Sequence, residues 1–259
     1  MSALAVLYAL VVWWSTTQAI LWLVRYAPKP ALNAIALVLA MVSAVLAVLA
    51  AREPSVHAAY VGFTAGVGLW GAFEISFLTG AVLGVNHDAT SERIGARAWA
   101  ALKAIIWHEA ALVATLIGLL AATVMTLNPV ALATFAGLWL MRASAKLNLF
   151  LGVRNLCTDF LPASVAHLAK HFRLRRMNPL FPFSVVFGTL AAAALLRAGL
   201  DPTAAPYEAV GAMLVATMVA LGVAEHWLLV TPLSALDLFS QRISRDTLSR
   251  PLGVFRSFG

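Results

Sequence analysis

Residues 99–125 read WAALKAIIWHEAALVATLIGLLAATVM. This run is long enough for a helix that crosses the hydrocarbon core of a bilayer, which needs roughly 20 apolar residues. Its middle holds His108 and Glu109, two ionisable groups that would lie deep in the membrane. Such groups are costly in lipid, so they normally face the protein interior and have a partner or a function there. The run therefore predicts a membrane helix within a bundle that supplies polar partners.

The composition places the whole chain among multi-span membrane proteins. Of the 259 residues, 62% are hydrophobic and only 11% are charged, and the mean hydropathy is +0.88. The single Cys157 excludes an intramolecular disulfide framework and a metal site built from several cysteines. The net charge of +7 comes from basic residues beside apolar runs, a pattern that reflects membrane topology and anionic lipid. We therefore expect no nucleic-acid partner.

The chain predicts an all-α bundle of seven transmembrane helices, in a single integral membrane domain that covers residues 1–259. Turn and helix-start signals built on proline, asparagine and aspartate separate the apolar runs. The first run lacks the basic start and the cleavage site of a signal peptide, so we expect it to be retained as a helix. The predicted spans are 3–24, 31–51, 57–83, 99–125, 129–151, 181–200 and 204–230.

Lys and Arg concentrate in alternate connections and in the C-terminal tail, which predicts the orientation of the bundle. By the positive-inside rule, the N-terminus lies outside, and the odd-numbered connections and the tail at 231–259 are cytoplasmic. The longest connection, 154–176, has apolar and basic residues at helical spacing and predicts an interfacial amphipathic helix.

This orientation places the polar residues of different spans at a similar depth. Odd-numbered helices run inward and the fourth runs outward, so all of these residues fall in the cytoplasmic half of the membrane. We expect a buried polar site that opens toward the cytoplasm. Its members are Glu74, His108, Glu109, Arg142, Lys146, Asn148, Glu225 and His226.

Two interpretations of this site follow from charge and ligand chemistry. The first is a salt-bridged link between helices, since Arg142 and Lys146 lie one turn apart and offset most of the carboxylate charge. The second is a di-iron or similar centre, because carboxylate and imidazole ligands suit non-haem iron. Adjacent residues on a helix point about 100° apart, however, which counts against His-Glu pairs as joint ligands. The metal set would be Glu74, His108, Glu109, Glu225 and His226.

A third interpretation is tetrapyrrole binding. A neutral His108 or His226 would give an axial nitrogen to magnesium or iron, and tryptophans would flank the ring. Trp70, Trp107 and Trp227 are placed for this, although tryptophans also mark membrane interfaces.

Several motifs carry a resemblance to a known family, namely EISFLTG at 74–80, His108-Glu109, WLMRASAKLNLFLGVRN at 139–155, MNPLFP at 177–182 and Glu225-His226-Trp227. They resemble motifs of the photosynthetic complex assembly protein 2 family of anoxygenic phototrophic bacteria. The resemblance extends over about residues 71–230, and the first two spans and the tail add little.

The resemblance implies a multi-pass protein of the bacterial inner membrane, either cytoplasmic or intracytoplasmic, that assists photosynthetic complex assembly. It would handle bacteriochlorophyll or help pigment to associate with reaction-centre protein. The implied cofactor is bacteriochlorophyll or another magnesium tetrapyrrole, with iron as the alternative. The implied partners are reaction-centre or light-harvesting subunits and pigment-synthesis proteins, besides the lipid bilayer.

The family supplies no catalytic residues, so the sequence leaves open whether a reaction is catalysed. Two other functions stay open, namely a membrane di-iron oxygenase that acts on a pigment or lipid, and a structural interaction protein with a salt-bridged core. The residues predicted to bind a ligand are His108, Arg142, Lys146, Asn148 and His226.

Overall fold

The structure, a computed structural model, describes residues 2–84, 93–124, 126–156, 158 and 161–231. Within them lie seven α-helices, each long and apolar enough to cross a membrane, which confirms the predicted helices. Cys157 and all of the tail after Thr231 fall outside the described residues. The helices are α1 (Ser2–Tyr26), α2 (Lys29–Ala51), α3 (Val56–Thr79), α4 (Ile94–Thr123), α5 (Val130–Leu151), α6 (Leu180–Gly199) and α7 (Pro206–Leu228).

The helix ends follow from local sequence signals. Ser55 begins α3, where its hydroxyl accepts a hydrogen bond from the Ala58 N–H at 3.1 Å. Gly80 ends the same helix with a φ of 78°, a left-handed conformation that glycine adopts without steric cost. Prolines in the first turns of α2 and α7 lose no helical hydrogen bond there.

The centre of the bundle is formed by α3 and α7, which have the most extensively buried surfaces. Small residues let α3 approach α5 closely: a Cβ added to Gly66 would lie 2.8 Å from Thr134 Cβ and 2.9 Å from the Ala131 carbonyl oxygen. Because α5 also packs on α7, its polar residues are brought between α3, α4 and α7.

The connection at 154–176 differs from the predicted amphipathic α-helix. Its described part contains a short 3₁₀-helix, Ala166–His171. Val165, Leu168 and His171 are buried at a spacing of three residues, which matches the 3₁₀ period, and the first two pack with Phe77 and Ala104. This part of the connection therefore packs against the C-terminal end of α3 and the first half of α4, and its position at the membrane surface stays a prediction.

Candidate functional site

Two ion pairs connect α5 to its neighbours. Arg142 Nε lies 3.3 Å from Glu74 Oε1 on α3, and Lys146 Nζ lies 2.7 Å from Glu109 Oε1 on α4. The two cations lie on one face of α5 because they are four residues apart. The sequence-predicted charges of three different helices therefore meet along this face.

The Lys146–Glu109 pair is held by aromatic side chains as well. The second oxygen of Glu109 accepts a hydrogen bond from Trp139 Nε1 at 3.3 Å. The Lys146 ammonium also lies 5.3 Å from the centre of the Phe77 ring, within the range of a cation–π interaction. The side chains of Lys146 and Glu109 are only 22% and 19% exposed, so protein shields most of this pair.

His108 is buried beside these pairs. Its side chain is 1% exposed, and its ring centre lies 4.8 Å from that of Phe77 and 6.4 Å from that of Phe73. It interacts electrostatically with all four paired charges. Its Nδ1 atom makes no hydrogen bond within the described part of the chain, which is unusual for a buried polar atom.

Glu225 completes this group at an exposed edge. It interacts electrostatically with Arg142 and Glu74, but makes no hydrogen bond or close ion pair among the described residues. It is exposed, and the Arg142 side chain is 45% exposed. We call the whole group the ionic cluster, comprising Glu74, His108, Glu109, Arg142, Lys146 and Glu225.

His226 lies outside the ionic cluster although it is adjacent to Glu225. Its Nδ1 donates to the Gly222 carbonyl oxygen at 2.8 Å, and its Nε2 lies 2.9 Å from the Ser144 hydroxyl. In the neutral form, Nε2 accepts the hydroxyl proton. Both ring nitrogens are therefore engaged, and an axial-ligand role would require one of these bonds to break.

Asn148 also belongs to a different polar network. It is fully buried, and its amide donates to the Ser184 hydroxyl and the Ser144 carbonyl, both at 2.9 Å. Its Oδ1 accepts from Asn178 Nδ2 at 3.0 Å. We call these residues the amide network, comprising Ser144, Asn148, Asn178, Ser184 and His226.

The predicted polar layer is thus divided between two faces of α5. Lys146 and Asn148 are two residues apart and point to opposite sides of the helix. The Asn178-Pro179 signal did predict the start of α6, but nothing in the sequence indicated that Asn178 binds Asn148. Trp139 and Ser144 were missed for the same reason, since their partners lie on other helices.

The structure does not assemble the predicted metal set. In the described ranges, no three His, Cys, Asp or Glu side chains are close enough together to hold a metal ion. Glu74 and Glu109 pair with different cations, and His226 lies in the amide network. The divergence of adjacent side chains on a helix explains why Glu225 and His226 are separated.

Comparison with known proteins gives two matches. The model of a family described as "Protein of unknown function (DUF3623)" matches residues 1–248. A Rhodobacter capsulatus protein named "Uncharacterized 30.4 kDa protein in puhA 5'region" is 38% identical over an alignment of 248 residues, and the match covers 92% of this chain and 89% of that protein. No solved structure matches the chain.

Proposed function

The chain belongs to the DUF3623 family, and from this premise we propose that it is an assembly factor for the photosynthetic complex of the bacterial inner membrane. The observation that carries the proposal is the relative with 38% identity, whose name places its gene beside puhA, in a photosynthesis gene region. The resemblance of residues 71–230 to a photosynthetic assembly family points the same way. Seven potential spans suit a protein that works beside membrane-embedded pigment proteins.

The geometry of the ionic cluster favours a binding role over catalysis. Arg142 and Lys146 already have carboxylate partners, and the imidazole of His226 is held at both nitrogens. The oxygenase alternative needs carboxylates that converge with a histidine, and the described residues do not provide such a set. A paired core with one exposed edge is instead what a membrane scaffold would use to contact partner proteins.

A second candidate function, bacteriochlorophyll binding, is favoured by His108 alone. A buried imidazole nitrogen without a hydrogen bond has the lone pair that an axial ligand of magnesium needs. The rings of Phe73 and Phe77 contact this imidazole, so a tetrapyrrole would reach it only after one ring moves. Pigment bound per purified chain should then fall for His108→Ala and persist for His226→Ala. Equal amounts of pigment bound to the wild type, His108→Ala and His226→Ala would refute bacteriochlorophyll binding at His108.

The assembly proposal is tested by deleting the gene in its phototrophic host and restoring it on a plasmid. We expect the near-infrared absorption of assembled reaction-centre and light-harvesting complexes to fall several-fold in the deletion strain and to return with the wild-type gene. Extracted pigment separates the two modes of action. Normal bacteriochlorophyll with few complexes indicates help in assembly, whereas accumulated precursors indicate a role in pigment supply. Normal complexes in the deletion strain would refute the proposal.

A further inference from the structure

α1 packs on one face of α7 near the start of that helix. There Ala5 and Ala9, both fully buried, share a core cluster with Val210, Met213 and Leu214. Farther along, α1 leans toward α2 and α3, where its Ile20 and Leu23 pack with a different cluster. Toward the C-terminal end of α7, residues beside this face are exposed in the described part of the chain. The cluster that Ile20 and Leu23 contact consists of Leu32, Ala36 and Ile75.

This exposed surface continues the face that α1 occupies. Leu214, Leu221 and Leu228 recur every seven residues, and Ala220 and Ala224 lie beside them at a spacing of four. Ala220, Ala224 and Leu228 are all exposed. Two alanines four residues apart allow another helix to approach the backbone closely, as small-residue pairs do in membrane helix packing.

Charge marks the edge of this surface. Leu138 of α5 and Leu221 of α7 pack against the same core cluster, and Arg142 and Glu225 follow them by one turn each. Glu74, Arg142 and Glu225 together carry one excess negative charge when all are ionised. Within the described part of the chain, Glu225 is exposed and the Arg142 side chain is 45% exposed, although charges inside a membrane span normally have a protein or water partner.

We propose that this surface, formed by Ala220, Ala224, Glu225 and Leu228 with Arg142 at its edge, docks a membrane-spanning helix of a partner protein. That helix carries a Lys or Arg at the depth of Glu225, which supplies the missing positive charge. A second copy of this chain fits less well, because each copy brings an excess negative charge. Anionic lipid headgroups are disfavoured for the same reason. The proposal deepens the assembly function and rests on it for the identity of the partner.

The test is site-specific photocrosslinking in membranes of the phototrophic host. A benzophenone amino acid is placed at Ala224, and a matched control is placed at Phe187, which is 67% exposed on α6. We expect Ala224 to crosslink to a membrane-spanning peptide with a Lys or Arg within about one turn of the attachment point. Glu225→Gln should lower the yield several-fold, while Glu53→Gln, in the connection between α2 and α3, should leave it unchanged.

A second variant guards against misfolding of the charge variant. Ala220→Trp keeps every charge but places a bulky side chain where the partner helix would pack. It should lower the crosslinking yield at Ala224 while the amount of protein in the membrane is unchanged. A product that contains a second copy of this chain would overturn the proposal. The proposal would also be overturned if Glu225→Gln left the crosslinking yield unchanged, or if benzophenone at Ala224 and at Phe187 gave the same products.

The outcomes also separate this inference from the assembly function. One outcome is that the deletion strain assembles normal complexes while the strain with benzophenone at Ala224 gives the charge-dependent crosslink. In that case the assembly function is refuted and the docking surface is supported. If complexes are lost but Ala224 gives no charge-dependent product, only the docking surface fails.

Discussion

Lys146 Nζ lies 2.7 Å from Glu109 Oε1, and this ion pair joins α5 to α4 beside the buried ring of His108. Few residues of α4 are buried by the rest of the bundle, and it contacts α5 less extensively than α3 does. We therefore expect the polar contacts that Glu109 makes with Lys146 and Trp139 to contribute to the connection between these two helices.

Lys146→Met should lower the free energy of unfolding by about 2–3 kcal/mol, because Glu109 must then stay charged without a partner or take up a proton. Adding Glu109→Gln should recover part of the loss. Unfolding in mild detergent of the two single variants and the double variant measures the coupling. Losses that add to within about 0.5 kcal/mol would show that the pair contributes little.

Gly66→Ala should destabilise the bundle by about 1–3 kcal/mol, because the new methyl group would overlap Thr134 and the Ala131 carbonyl on α5. Gly118→Ala is the matched control, since nothing lies within 4 Å of its added Cβ. That control should be neutral or stabilising by up to about 1 kcal/mol, as alanine favours helix. Melting temperatures of the two variants in one detergent make the comparison. Equal effects would contradict the close α3–α5 approach.

Asn178→Ala should cost about 2–4 kcal/mol, because one buried amide serves several hydrogen bonds. Its Oδ1 accepts from the Leu180 N–H at 2.9 Å at the start of α6, and its Nδ2 donates to the Gly152 carbonyl at 2.9 Å. Ser55→Ala removes a single capping bond and should cost only about 1 kcal/mol. Denaturant unfolding of both variants ranks them, and the reverse order would refute the structural role of Asn178.

Asp201 should make the turn between α6 and α7 sensitive to acid. Its pKa is lowered because its carboxylate accepts hydrogen bonds from the Thr203 hydroxyl, at 2.6 Å, and from the Thr203 N–H, at 2.8 Å. A lowered folded-state pKa means that this stabilisation is present above the unfolded-state pKa of about 3.9 and is lost as the pH falls through the folded-state value. Asp201→Asn should remove this part of the pH dependence below about pH 4, the region of the unfolded-state pKa. If the wild type and Asp201→Asn lost stability equally as the pH fell through that range, the predicted role of Asp201 would be contradicted.

The sequence predicted the long apolar helices and which polar residues of different helices lie at a similar level. It predicted much less well how each helix is rotated about its axis, and so which neighbours its side chains face. The spans could be predicted because apolar length alone decides whether a helix can cross a bilayer. Depth also selected Glu74 and Arg142, which do form an ion pair. It could not separate Glu225 from His226, because neighbours on a helix share a depth but point about 100° apart.

Arg142→Gln should be much more harmful than Glu225→Gln, because the three charges at this edge contain one cation and two carboxylates. Losing Arg142 leaves Glu74 and Glu225 without their shared counter-charge and should cost about 1–3 kcal/mol. Losing the charge of Glu225 removes the excess and should change stability in detergent by less than about 0.5 kcal/mol. Adding Glu74→Gln to Arg142→Gln should recover part of the loss. Thermal unfolding of the wild type, the two single variants and the double variant measures these costs. If Glu225→Gln costs as much as Arg142→Gln, Glu225 stabilises the bundle itself and is not a binding residue for a partner.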